Sequence, residues 1–212
     1  MTKLLLIRHG QSQANLHGAF AGHWDTPATD LGLHQAAITG KYVAQNYKVD
    51  AVYSSDLQRA RAVGEAVAEN TGLDMTTDRQ LREINAGQWE KVSFDTLDQS
   101  FPSYRLWRTD IGSSYCDGGE TVAQLQERFV GAVKRIAMNH PNQTVVIATH
   151  ATPIRTLQCH CVGKGLGEMQ NIPWVTNASI TEVFYEDGCF TLGKVAQDDH
   201  LGDLVSSLPA NV

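Results

Sequence analysis

The chain has 212 residues, 42% of them hydrophobic and 19% charged, enough for a substantial core in one sizeable domain. A formal net charge of −6 gives no electrostatic reason to expect nucleic acid or an anionic membrane as partner. The N-terminal apolar run is too short for a signal peptide, and no stretch approaches membrane-spanning length. The cysteines (Cys116, Cys159, Cys161 and Cys189) are too few for a disulfide framework in so large a domain, and a cytoplasmic location is expected. Cys159-His160-Cys161 has no second ligand pair at zinc spacing and reads as buried thiols.

Leu4-Leu5-Leu6-Ile7 is an unbroken apolar run, the pattern of a strand buried on both faces. It ends at Arg8-His9-Gly10, and open α/β sheets place their ligands at such strand ends. The spacing predicts a helix from about Leu31 to Tyr47, with Leu33, Ala37, Val43, Ala44 and Tyr47 on its buried face. Ala51 to Ser54 reads as a second strand, after which Ser55 or Asp56 caps a helix faced by Leu57, Ala60, Gly64 and Val67 and ending at Thr71-Gly72. Arg59 falls in its first turn.

Between Thr76 and Ser114 the periodicity weakens. Short helices and loops are expected there, rich in Phe94, Phe101, Tyr104 and Trp107, as a lid or substrate wall spanning about 84–120. Gly118-Gly119-Glu120-Thr121 opens a helix along Val122, Leu125, Phe129, Val133 and Ile136. Val145 to Ala148 reads as another buried strand ending in Thr149-His150, followed by a helix from about Pro153 to Val162. Gly163-Lys164-Gly165 is read as a helix stop rather than a phosphate loop. Ser179–Tyr185 and Cys189–Val195 form a predicted hairpin, and the tail after Asp199 is expected to be irregular. The reading is a single α/β domain over 1–212, a mostly parallel sheet with helices on both faces.

Arg8-His9, Arg59 and His150 thus converge on one sheet edge. Phosphoryl transfer needs a nucleophile, positive groups on the equatorial oxygens and a proton for the departing alkoxide. His9 can be the nucleophile, Arg8 and Arg59 can fork onto phosphate oxygens, and a protonated His150 would add a third positive group. Glu83, in a loop beside Trp89 and other aromatics, is the candidate acid. Each residue taken singly has a structural reading as well. Their convergence favours the functional one.

Ile7-Arg8-His9-Gly10-Gln11-Ser12 with Asn15 resembles the signature of the histidine phosphatase (phosphoglycerate mutase-like) superfamily. Pro27-Ala28-Thr29 with Gly32 and Gln35-Ala36, the block from Ser54 to Ala60 holding Arg59, Leu81-Arg82-Glu83-Ile84 through Gly87-Gln88-Trp89-Glu90, Gly118 to Thr121, Thr149-His150 and Asn177-Ala178-Ser179 resemble its further motifs, in order. The resemblance implies a three-layer α/β/α sandwich, His9 as phosphohistidine nucleophile, Glu83 as proton donor, and Arg8, Arg59 and His150 as phosphate pocket. It further implies Asn15 and the backbone at Gly22 as substrate contacts, with no metal or organic cofactor. Gln11, Lys91 and Ala151 depart from the family's usual glutamate, glycine and glycine. The compact stretch between acid and second histidine looks like phosphatase branches acting on small phosphorylated metabolites (sugar phosphates, phosphoglycerates or alpha-ribazole phosphate). A cofactor-dependent phosphoglycerate mutase, or a non-catalytic phospholigand-binding protein, is the alternative, and a homodimer is left open.

Overall fold

The N-terminal apolar run forms β1 (Thr2–Arg8), an inner strand of a six-stranded sheet. In chain order there follow α1 (Gln13–Leu16), α2 (Asp30–Asn46), β2 (Ala51–Ser54), α3 (Gln58–Thr71), β3 (Met75–Thr77), α4 (Phe94–Ser100) and α5 (Pro102–Thr109). Then come α6 (Val122–Asn139), β4 (Thr144–Thr149), α7 (Ala151–Cys161), β5 (Ile180–Glu186) and β6 (Cys189–Leu192), with short 3-10 turns between elements. The structure, a computed structural model, describes residues 1–206; the remainder of the tail expected to be irregular lies outside them. Within them, Asp199–Leu204 forms 3-10 turns rather than irregular chain.

The strand order is β3-β2-β4-β1-β5-β6, parallel throughout except for β5, which runs against both β1 and β6. Period-two alternation divides the buried strands between two cores. Leu5 and Ile7 join Val52, Val146 and Ala148 against Val43 of α2 and Val63 and Val67 of α3. Leu4 and Leu6 join Val145 and Ile147 against Phe129, Val133 and Ile136 of α6 and Ile154 and Leu157 of α7. The result is the expected α/β/α sandwich. Each of these leucines is fully buried, a contribution of about 1.5–3 kcal/mol apiece. A third apolar cluster gathers Phe20, Trp89, Leu97, Tyr104 and Trp107 with Val122 and Leu125 at the start of α6; the 84–120 stretch packs there.

Several local readings need correction. The buried face of α2 is Gly32, Gln35, Ala36, Thr39, Gly40 and Val43, while Leu33 is exposed. Small residues are required on that face because a Cβ on Gly40 would meet the backbone of Ala66 in α3. Neither Ser55 nor Asp56 caps α3; Leu57 occupies the N-cap with no side-chain bond. Both candidates are engaged elsewhere, Ser55 with His150 and Asp56 with Arg82, which grips it through Nε and Nη2 at 2.6 Å each. Helix α7 starts two residues before Pro153, which is tolerated in a first turn where no amide donor is needed. β3 went unread because three residues at a sheet edge carry too little pattern. Of the cysteine pair, Cys159 is buried and Cys161 half-buried.

Two departures from ordinary backbone bear on the site. A Cβ on Gly10 would run into the Gly32 carbonyl, and one on Gly32 into the carbonyl of Gln11, so the loop after β1 lies directly on the first turn of α2. Gly32→Ala is therefore expected to destabilise the protein by about 1–3 kcal/mol, the usual cost of overpacking a closed contact. Urea denaturation would measure it, and an unchanged midpoint would mean the two backbones can separate freely. Lys91 stands at φ +70°, where the family pattern has glycine. Its amide donates to the Phe20 carbonyl (3.0 Å), so the left-handed turn is kept despite the side chain.

Candidate active site

Register sets the site. Arg8 pairs with Thr149 across β1/β4, and Ser54 with Ala148 across β2/β4, so the three strands end level. The next residues, His9, His150 and Ser55, share that edge; the His9 amide donates to the Thr149 carbonyl and that of Ser55 to the Ala148 carbonyl, each at 2.9 Å.

His9 Nδ1 lies 2.6 Å from the Gly10 carbonyl oxygen, which can only accept, so Nδ1 carries the proton and Nε2 keeps its lone pair. The His150 ring is 5.2 Å away, centroid to centroid, with Nε2 at 2.9 Å from Ser55 Oγ. Arg8 Nη1 donates to the Val175 carbonyl (2.7 Å), and its guanidinium lies 5.7 Å from the centre of the Trp174 ring. Arg59 is fully buried and donates from Nη2 to the Gly22 carbonyl (2.8 Å) and from Nη1 to that of Trp24 (3.0 Å). Arg8 Nε, Arg59 Nε and His150 Nδ1 are buried without a protein partner, as is the indole Nε1 of Trp174 on the pocket lining. Orphaned buried groups are costly, and three around one histidine suit an anion with several acceptor oxygens.

Burial lowers Arg8 and Arg59 to about 10, with Glu83 opposing the shift in each, so both remain cations at neutral pH. Burial, reinforced by the two arginines, holds His9 and His150 well below the usual histidine value. Both imidazoles are therefore neutral at pH 7. The third positive charge expected of a protonated His150 is therefore not supplied by the folded chain alone. Two histidines neutral when folded but ordinary when unfolded make the unfolded chain bind more protons below about pH 6.5. Stability is expected to be level above that value and to fall as pH drops through 6 toward 5. Denaturant midpoints at pH 7.5 and 5.5 would measure this, and equal midpoints would contradict two buried neutral imidazoles.

Glu83 lines the same pocket. Its Oε1 accepts from the Ile84 amide (2.8 Å) and its Oε2 from that of Thr152 (3.3 Å) at the start of α7. The neighbouring backbone is bracketed by Arg128 of α6, which donates to the carbonyls of Gln80, Arg82 and Glu83 and forks onto Glu120. Glu120 in turn accepts from the Asn85 amide (2.8 Å), and His23 Nε2 reaches the Glu83 carbonyl (2.9 Å). Trp89, expected beside Glu83, is buried behind the pocket, edge-on to Phe20, Tyr104 and Trp107.

Asn15 and Gly22 also line the pocket. Asn15 is held by a reciprocal capping box with Ser12 and by Asn177 Nδ2 (3.3 Å). Gly22 adopts φ +50° and presents its carbonyl to Arg59. Ala151, at the first helical position of α7, puts its methyl group on the pocket wall. Sequence reasoning missed Ser55, Thr152, Phe20, Trp174 and Arg128. Among the described residues, no group of three or more His, Cys, Asp or Glu is placed to hold a metal ion, and no helix is long and apolar enough to cross a membrane.

A histidine between two buried arginines, at the carboxyl edge of a largely parallel sheet in an α/β/α sandwich, marks a narrow class of α/β proteins. The family model for the histidine phosphatase superfamily (branch 1) matches residues 4–198, and the chain belongs to that superfamily. It is 28% identical over 204 residues to phosphoserine phosphatase 1 of Hydrogenobacter thermophilus, covering 96% of each chain. Among solved structures, Bacillus stearothermophilus YhfR superposes with a TM-score of 0.90 at 27% identity, covering 95% of this chain and 100% of that one. Mycobacterial glucosyl-3-phosphoglycerate phosphatase, solved with VO3, gives 0.85 at 26% identity, covering 92% and 99%.

Proposed function

We propose that this protein hydrolyses small phosphomonoesters through a phosphohistidine formed on His9. The observation that carries the reading is the pinned His9 ring, its free Nε2 accompanied by three orphaned nitrogens on Arg8, Arg59 and His150. Nε2 attacks phosphorus as the ester P–O bond breaks, and Glu83 hands its proton to the departing alkoxide. The Glu83 carboxylate then takes a proton from water as that water attacks the phosphohistidine, releasing inorganic phosphate and restoring both residues. The two guanidinium groups spread the charge of the transferring phosphoryl group, joined by His150 once the bound anion draws a proton to it. The reading therefore calls on no metal or organic cofactor. The whole chain acts as one domain, with the 84–120 stretch as substrate wall and Asn15 and Gly22 at the mouth.

The test is rapid acid-free quenching of the wild-type enzyme with a labelled monoester. A base-stable, acid-labile phosphoprotein that decays to inorganic phosphate supports hydrolysis. Decay only by transfer to 3-phosphoglycerate, primed by 2,3-bisphosphoglycerate, would make the protein a mutase. Tight phosphate binding with neither outcome would make it a binding protein.

A further inference from the structure

Once a phosphoryl group engages Arg8, Arg59, His9 and His150, the rest of the pocket must receive the alcohol it is esterified to. That remainder is dominated by Ala19, Phe20, Ala21, Phe94, Trp107 and Trp174. These come from four separated parts of the chain: the segment after α1, the first residue of α4, the body of α5 and the approach to β5. Phe20 is the hub, edge-on to Trp107 at 5.2 Å, to Trp89 at 5.6 Å and to Phe94 at 6.1 Å. Its amide donates to the Val92 carbonyl and its carbonyl accepts from Lys91, so the ring is fixed at both ends of its peptide unit. These contacts brace the wall from behind.

Polar groups on this side are few, and they include the indole Nε1 of Trp174, a neutral donor with no protein partner. Asn15 Oδ1 already accepts from the Ser12 amide and from Asn177. Glu83 is an acid, and Thr152 supplies one hydroxyl. Among the pocket-lining residues the only arginines or lysines are Arg8 and Arg59, the pair that takes the phosphate. A carboxylate on the substrate would be desolvated against aromatic rings and face Glu83 with no arginine or lysine of that wall to pair with, which opposes its binding. An apolar alcohol instead gains from burial against the same rings and from edge-to-face contact with them.

We infer that the substrate class is a phosphomonoester of an apolar, ring- or chain-bearing alcohol, and that carboxylate-bearing monoesters are discriminated against. This rests on the hydrolytic reading of the same pocket. The experiment compares kcat/KM for benzyl and hexyl phosphate with that for 3-phosphoglycerate and phosphoserine. All four release alkyl alcohols, so leaving-group acidity does not decide the order. Benzyl phosphate is expected to be favoured by at least about 100-fold. Phe94→Ala is expected to raise KM for benzyl phosphate by about 10-fold and to lower kcat far less; Phe94 lies on the half-buried rim, so folding is not at issue. Equal or better turnover of 3-phosphoglycerate or phosphoserine overturns the inference and leaves the hydrolytic reading standing. If no ester is turned over, the hydrolytic reading fails. Calorimetric binding of benzylphosphonate against phosphonoacetate then decides the pocket's preference separately: tighter benzylphosphonate binding supports an apolar site, and the reverse order rejects it.

Discussion

His9→Ala is expected to lower kcat/KM on any hydrolysed monoester by about 10⁴- to 10⁶-fold, the scale seen when a covalent nucleophile is removed. No other side chain in the pocket can replace it. The free nitrogen of His150 is Nδ1, and its Nε2 is engaged with Ser55. The variant should still bind inorganic phosphate or vanadate, because Arg8 and Arg59 are held by the carbonyls of Val175, Gly22 and Trp24 and not by His9. His9 is neutral in the pocket, so its loss removes no positive charge and anion affinity should not collapse with activity. Turnover measured alongside phosphate titration separates the two effects. Activity within 10-fold of wild type would rule out His9 as the group that bonds to phosphorus.

The sheet edge could be read from sequence because parallel strands announce themselves as apolar runs, and polar residues directly after such runs have one place to go. Arg8, His9 and His150 were located by that rule, and Arg59 by its position in the first turn of α3. What fixes those residues was not legible. Ser55 meets His150 across 95 positions, and Arg128 meets the Glu83 carbonyl across 45. No local pattern marks either pairing. The same diversion of side chains misled the reading of α3, where Ser55 and Asp56 have tertiary partners, Leu57 takes the N-cap position, and the first helical amide, of Gln58, donates to Asp25 from a distant segment. The α2 face was misplaced for a related reason. Apolar periodicity favours large residues, whereas close approach to α3 and to the Gln11 loop selects glycine, alanine and threonine. Of the four aromatics expected to form a wall, Phe94 and Trp107 line the pocket, whereas Tyr104 is buried in the apolar cluster and Phe101 packs against that cluster. The wall's other half, Phe20 and Trp174, sits in segments with no apolar period at all.

Glu83→Gln separates the acid role from positioning. Glutamine keeps the shape and one carbonyl oxygen to accept the Ile84 amide, so the loop bracketed by Arg128 should stay in place. What is lost is a transferable proton. For benzyl or hexyl phosphate, whose alkoxides leave poorly without protonation, kcat should fall by about 10²- to 10⁴-fold. For 2,4-dinitrophenyl phosphate, whose phenolate leaves unaided, formation of the phosphohistidine should slow by less than about 10-fold. Removal of the phosphoryl group still needs a base to activate water, and glutamine cannot serve. The slow step therefore moves. With the activated ester the variant should release a burst of phenolate, one equivalent per active site, followed by slow turnover. An equal loss on both substrates with no burst would assign Glu83 to holding the loop and leave the proton to another group.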